Sequence, residues 1–215
     1  MEMLKRGVLS LMAAACCIGC YAEEEGGSST LWGLRVAADL NIPSDWHYDG
    51  GSTKMYNHGF GLNLGGVCNL YLGKGFYLEP GVSLYYDAYS MDIAVTDNDG
   101  MIVSDNPRIN KFGVRVPVMA GYTFGTEGFS MCVYTGPEFS YSFGGNLDID
   151  ESADEVLGKL FDFQRRADVA WKVGVGFPYK STMIGVDAAF GLTDLLKGDM
   201  KAYDRRISLS FTYYL

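Results

Sequence analysis

Several groupings in this 215-residue sequence bring together residue types capable of chemistry. His47 stands among Asp45, Asp49 and Ser52, with Ser90 and Asp92 farther along. A serine, a histidine and a carboxylate are the parts of an acyl-transfer triad, but a triad is defined by geometry and not by the presence of its parts. The run reads as a polar loop containing one histidine, and His58 is less informative still. Asp97-Asn98-Asp99-Gly100 opens like a calcium-binding loop. Met101 and Ile102 then occupy the places of the next ligand and the obligatory glycine. A hairpin turn fits better, with Ile93 and Val95 on one arm and Ile102 and Val103 on the other. Gly59-Phe60-Gly61, followed by Gly65 and Gly66, has neither the spacing nor the following helix of a nucleotide-binding loop. No Cys/His pair after Ala22 has zinc spacing. No catalytic residue, metal or cofactor is expected.

The charged residues form a more regular set. Arg35, Asp39, Glu79, Lys111, Arg115, Glu138, Asp168, Lys172, Asp187 and Arg206 all fall on the polar phase of an apolar–polar alternation. Both signs are equally represented. Period-2 alternation is the mark of strands with two unlike faces. Eight segments carry it, starting at Trp32, Phe60, Phe76, Phe112, Phe129, Val169, Ile184 and Ile207. In the first, Trp32, Leu34, Val36, Ala38 and Leu40 share a face. In the last, Ile207, Leu209, Phe211, Tyr213 and Leu215 do. No charge falls on the apolar face of any segment, while the polar face mixes Gly, Ser, Asn and Tyr with balanced charge.

What must position these residues follows from the start of the chain and from its loops. Lys5 and Arg6, the apolar stretch Val8 to Gly19 and the small-residue pattern before Glu23 have the layout of a secretory signal over residues 1–22, cleaved after Ala22. Ile18-Gly19-Cys20 also allows lipid attachment at Cys20. Residues 23–29 make a short tail and residues 30–215 a single domain. With 17 basic against 26 acidic residues and a net charge of -9, the chain is unsuited to nucleic acid.

The links near Leu72-Gly73-Lys74-Gly75, Gly125 to Gly128 and Pro178 to Ser181 are tight; those near 42–57, 88–108, 143–165 and 194–203 are long. Short turns at one end, long loops at the other and an even strand number describe an outer-membrane barrel. Aromatic residues agree with it. Trp32, Phe76, Phe124, Phe129, Phe177 and Tyr213 lie beside the short-turn end, and Phe60, Tyr86, Phe112, Tyr141 and Trp171 nearer the long loops, as two interfacial belts. The expected fold is all-β: an eight-stranded antiparallel up-and-down transmembrane barrel with long loops extracellular. Pro80, Pro117 and Pro137 fall inside strands that have no free edge, so each predicts a bulge or a lost ladder bond. In the long third loop, Ser152-Ala153-Asp154-Glu155 has a capping-box pattern, and Val156, Leu157, Leu160 and Phe161 follow at helical spacing. Cys68 and Cys132 fall on opposite faces of non-neighbouring strands and predict no disulfide.

Three stretches carry a resemblance: Arg115-Val116-Pro117-Val118-Met119-Ala120-Gly121-Tyr122, Gly136-Pro137-Glu138-Phe139 and Phe190-Gly191-Leu192-Thr193-Asp194. They resemble the small outer-membrane β-barrel domain, often labelled "porin family", of Gram-negative bacteria. The likeness spans essentially residues 30–215, and the overall shape resembles the OmpA and OmpX barrels. Phe211, Tyr213 and Leu215 resemble the C-terminal strand that the barrel-assembly machinery reads, with Leu215 in the place of the usual aromatic end. The implied surroundings are outer-membrane lipid and lipopolysaccharide, with no nucleic acid and an unidentified extracellular ligand.

An eight-stranded barrel is just wide enough for its own side chains, so the ten charges read first as a plug of salt bridges. A small-solute or ion pore lined by the same charges is the alternative. An outer-membrane lipid-modifying enzyme using His47 is a remote one, since an acyl chain needs an apolar interior. The first reading makes the chain a non-enzymatic envelope protein with a structural or surface-interaction role.

Overall fold

The computed structural model describes residues 30–48, 51–53, 56–91, 93–96, 102–105, 108–126, 129–148, 166–194 and 202–215. The candidate signal and tail, the Asp97–Gly100 turn and the 152–161 segment lie outside the described residues, as does the side chain of His47. Twelve strands run in order: β1 (Thr30–Asn41), β2 (Trp46–Tyr48), β3 (Gly51–Thr53), β4 (Tyr56–Gly73), β5 (Phe76–Met91), β6 (Ile93–Thr96), β7 (Ile102–Asp105), β8 (Arg108–Thr126), β9 (Phe129–Asp148), β10 (Ala167–Tyr179), β11 (Thr182–Gly191) and β12 (Arg205–Tyr214). Eight of them close a barrel in the order β1-β12-β11-β10-β9-β8-β5-β4, with every neighbouring pair antiparallel. The other four form two small hairpins, β2–β3 and β6–β7, within the long connections. In the second, Val95 pairs with Val103 and Thr96 with Ile102, so the segment that opens like a calcium loop is a hairpin.

Closure depends on the last strand. β12 pairs with β11 on one side and β1 on the other, with Phe211 opposite Val36 and Tyr213 opposite Leu34. Leu215 extends the seam by donating its backbone N–H to the Trp32 carbonyl at 2.7 Å. Closing the sheet leaves the barrel no unpaired edge to aggregate.

The apolar phase faces outward. Leu34, Leu64, Leu84 and Leu209 are each more than half exposed, which is the arrangement of strands solvated by lipid. Four members of that phase, Cys68, Leu70, Val114 and Val116, are nonetheless buried. Larger residues stand beside them in register: Trp32 opposite Cys68, and Phe139 opposite Val116. At the short-turn end Phe76 and Tyr122 lie 4.8 Å apart between ring centroids, with Phe124 a further 6.1 Å beyond Tyr122. The tight turns are built by left-handed backbone: φ is 53° at Lys74 and 88° at Gly75 across the two-residue β4–β5 link. Positive φ at both central positions matches the right-handed twist of the flanking strands.

Two details differ from the alternation alone. The strands on the long-loop side are longer, with β5 reaching Met91 and β8 starting at Arg108, so they rise past the roughly 9–11 residues that cross a bilayer. The prolines leave gaps in the ladder without shifting it. Register steps from Pro80↔Val118 directly to Ser83↔Arg115, and from Pro117↔Glu138 directly to Ala120↔Thr135. The register shifts lie elsewhere, between Phe112 and Gly113 and near both ends of the β4–β5 pairing.

Candidate functional site

The polar phase fills the interior. Because side chains alternate along each strand, one charged residue every second or fourth position is enough to aim a set of ionic heads at the axis. Arg115 on β8 lies at the centre. Its guanidinium meets Asp39 of β1 at 2.7 Å and Asp87 of β5 at 2.6 Å, and its Nε lies 3.9 Å from Glu138 of β9. Its cationic plane also lies 4.1 Å from the Tyr85 ring. Arg206 on β12 pairs with Glu138, lies 3.7 Å from Asp39 and reaches Asp204 at 3.5 Å. Lys172 on β10 bridges Glu138 at 3.5 Å and Asp187 of β11 at 3.0 Å. These contacts join strands on opposite sides of the barrel through one continuous ionic lattice.

The lattice is dry at its centre. The side chains of Asp39, Arg115, Glu138 and Arg206 are each at most 4% exposed. Two neutral donors reinforce it: Asn63 Nδ2 donates to Asp39 at 2.9 Å and Asn41 Nδ2 to Asp87 at 3.1 Å. A charge in such surroundings needs both an opposite charge and hydrogen bonds to offset its lost hydration.

Nearer the short turns a second group assembles. Arg35 pairs with Glu79 at 2.6 Å, and its Nε donates to Thr212 at 2.7 Å. The Tyr214 hydroxyl donates to the other oxygen of Glu79 at 2.8 Å. Tyrosines occupy the remaining space, and glycines admit them. A Cβ on Gly121 would lie 2.2 Å from the Tyr77 ring, and one on Gly174 would lie 2.5 Å from the Tyr134 ring. Gly59 makes room for Tyr89 in the same way, whereas Gly61 faces Asp87 and Asn41 and no arginine.

Eight of the ten charges on the polar phase enter ion pairs: Arg35, Asp39, Glu79, Arg115, Glu138, Lys172, Asp187 and Arg206. Lys111 and Asp168 are placed differently. Both line a small cavity of about 30 Å³ at the long-loop end, with Tyr85, Asp87, Tyr89 and Arg115 on its other walls. Lys111 Nζ faces the Tyr89 ring at 5.3 Å, and the Asp168 carboxylate accepts the Thr193 hydroxyl. Asp87 is the charged residue that the segment boundaries omitted. It lies one step past Tyr86, where the third segment was closed, and continuing the alternation to Tyr89 would have found it. Asp204, which precedes β12, was likewise outside any segment.

Among the described residues no group of three or more His, Cys, Asp or Glu side chains is arranged to hold a metal ion. Cys68 and Cys132 lie on β4 and β9, which are not neighbours in the barrel.

A family model described as outer membrane protein beta-barrel domain matches residues 29–197. No curated protein matches the chain. Similar solved structures include neisserial surface protein A, at 12% identity and a TM-score of 0.45 over 87% of this chain and 99% of that one. OprG from Pseudomonas aeruginosa is 13% identical with a TM-score of 0.49, over 88% of this chain and 98% of that one. The E. coli outer membrane protein W is 12% identical with a TM-score of 0.37, over 87% and 98%.

Proposed function

The chain belongs to the outer membrane protein β-barrel domain family, and from that premise we propose that it is a non-enzymatic integral barrel whose interior is a plug of paired charges and whose long loops act outside the cell. The observation that carries this reading is the cross-barrel lattice, in which Arg115 and Arg206 each bind carboxylates from different strands while remaining 3% exposed. A continuous water-filled path would leave such groups hydrated. In an eight-stranded barrel the side chains take up that space themselves.

On this reading the short turns face the periplasm, and the long loops with β6–β7 project from the surface among lipopolysaccharide. Phe211, Tyr213 and Leu215 serve as the strand that the assembly machinery recognises. Acidic residues in the loops favour divalent cations as the bridge to lipopolysaccharide. The role is structural support of the envelope or contact with an extracellular ligand.

The deciding experiment is single-channel conductance of the refolded chain in a planar bilayer, beside Arg115→Ala. A silent membrane with the wild type is the expected result. Steady openings that change with Arg115→Ala would replace the plug by a narrow charged pore. A surface role is lost when the 88–108 or 143–165 loop is shortened, and His47→Ala leaves lipid A acylation in the native host unchanged.

A further inference from the structure

Three sulfur side chains occupy the polar phase of a lumen otherwise built from charges, amides, hydroxyls and tyrosines. Met119 on β8, Cys132 on β9 and Met183 on β11 are all buried, and they belong to one cluster with Tyr77 and Tyr134. Cys132 and Met183 come from strands that are not neighbours, since β10 runs between them. Their sulfurs nevertheless lie 3.6 Å apart. The residue of β10 that allows this is Gly176, paired directly with Cys132. A Cβ at Gly176 would sit 2.7 Å from Cys132 Sγ and 2.9 Å from Met183 Sδ, so the missing side chain leaves the flank of both sulfurs open. The Tyr77 hydroxyl is buried in the same cluster and has no hydrogen-bond partner among the described residues.

We propose that Cys132 and Met183, brought within 3.6 Å across Gly176, bind one soft monovalent metal ion, copper(I), near the short-turn end of the lumen. Thiolate and thioether donors select soft ions such as copper(I), and hard cations favour oxygen ligands instead. With metal–sulfur bonds of about 2.3 Å, as in zinc thiolates, sulfurs at this separation subtend roughly 100° at the ion. That angle leaves a further position open on the side of Tyr77 and Met119. Binding replaces the Cys132 S–H bond by an S–copper bond and releases the proton to water. Met183 donates a sulfur lone pair, and no electron is transferred. The carboxylates of the ionic lattice are outside the cluster, so a hard divalent ion gains nothing there.

The test uses the refolded full chain with Cys68→Ser, which leaves Cys132 as the one thiol after signal removal. Copper(I) is titrated anaerobically against a coloured chelator, with silver(I) as a probe that undergoes no redox change. One equivalent per barrel is expected. Cys132→Ser removes it, and Met183→Leu, which keeps the volume of the side chain, weakens it at least tenfold. Gly176→Ala, by filling the flank of both sulfurs, also weakens it. Folding of each variant is checked by its heat-dependent shift in gel mobility. The proposal is overturned if the folded Cys68→Ser chain does not compete for copper(I). It is equally overturned if folded Met183→Leu binds as tightly as its parent, because the thiol alone would then be responsible.

Discussion

Glu138 is the most connected anion of the lumen, and replacing it separates a dry plug from a hydrated channel. Its carboxylate meets Arg206, lies 3.5 Å from Lys172 and lies 3.9 Å from Arg115. Removing it affects these cations unequally. Arg115 keeps Asp39 at 2.7 Å and Asp87 at 2.6 Å, and Lys172 keeps Asp187 at 3.0 Å. Arg206 keeps only the longer contacts, 3.7 Å to Asp39 and 3.5 Å to Asp204. The loss is therefore close to one buried pair broken from one side, about 3–5 kcal/mol, with Glu138→Ala expected near the lower end because two of the three cations stay paired. Urea unfolding in lipid vesicles, followed by tryptophan fluorescence, measures it. Adding Arg206→Met removes the stranded cation, so the double variant should be more stable than the sum of the single effects by about 2 kcal/mol. A Glu138→Ala loss below about 1 kcal/mol is the value for a solvated pair and would refute the dry interior.

The remaining predictions probe other parts of the same structure. Leu84→Arg places a charge on the exposed apolar face, where Leu84 is 66% exposed, and should destabilise the barrel by about 2–4 kcal/mol if the site lies at the bilayer midplane; urea titration in vesicles that finds no loss would contradict a lipid-facing surface. Gly121→Ala drives a methyl group into the Tyr77 ring and should cost about 1–3 kcal/mol. Stability should return in part with Tyr77→Ala, and an unaltered Gly121→Ala barrel would mean that the ring is free to move away. Tyr214→Phe removes the 2.8 Å hydrogen bond to the Glu79 carboxylate. The expected loss is about 1.5–3 kcal/mol by the same titration, and a neutral result would show that Glu79 is satisfied by Arg35 alone.

The fold was legible because both faces of each strand are under strong and opposite constraint. A lipid-facing position admits no charge, and a one-residue slip would turn every charge of a strand outward, so the phase is written plainly in β12, where Arg206, Ser208, Ser210 and Thr212 alternate with Ile207, Leu209, Phe211 and Tyr213. Strand ends were less legible, since beyond the bilayer the outward constraint lapses. That is why Asp87 escaped notice and why β5 and β8 are longer than their alternation suggested. Partner choice was not legible at all. Residues from opposite sides of a barrel meet at a distance set by closure and tilt, which no single strand encodes. Nothing in the run from Phe129 to Phe139 says that Glu138 will meet Arg206 while Cys132 meets Met183. The tyrosine–glycine fits have the same character: Tyr77 with Gly121 and Tyr134 with Gly174 become visible only once neighbouring strands are in register.

The ionic lattice is better understood as a consequence of the architecture than as a sign of transport. A strand that crosses lipid must present apolar residues outward, and a chain apolar on both faces would aggregate before it closed. The inward phase is therefore polar whatever the barrel does. A wide barrel solvates such residues with water, but eight strands leave no such space, so every inward charge must find its opposite among side chains of other strands. Eight of the ten sequence-predicted charges do so. The exceptions, Lys111 and Asp168, sit at the long-loop end beside the small cavity, where the barrel opens and pairing is no longer compulsory. Charge pairing thus tracks the depth of enclosure. If the lumen conducted, its central charges should be the least paired and the rim should be no different; the gradient runs the other way.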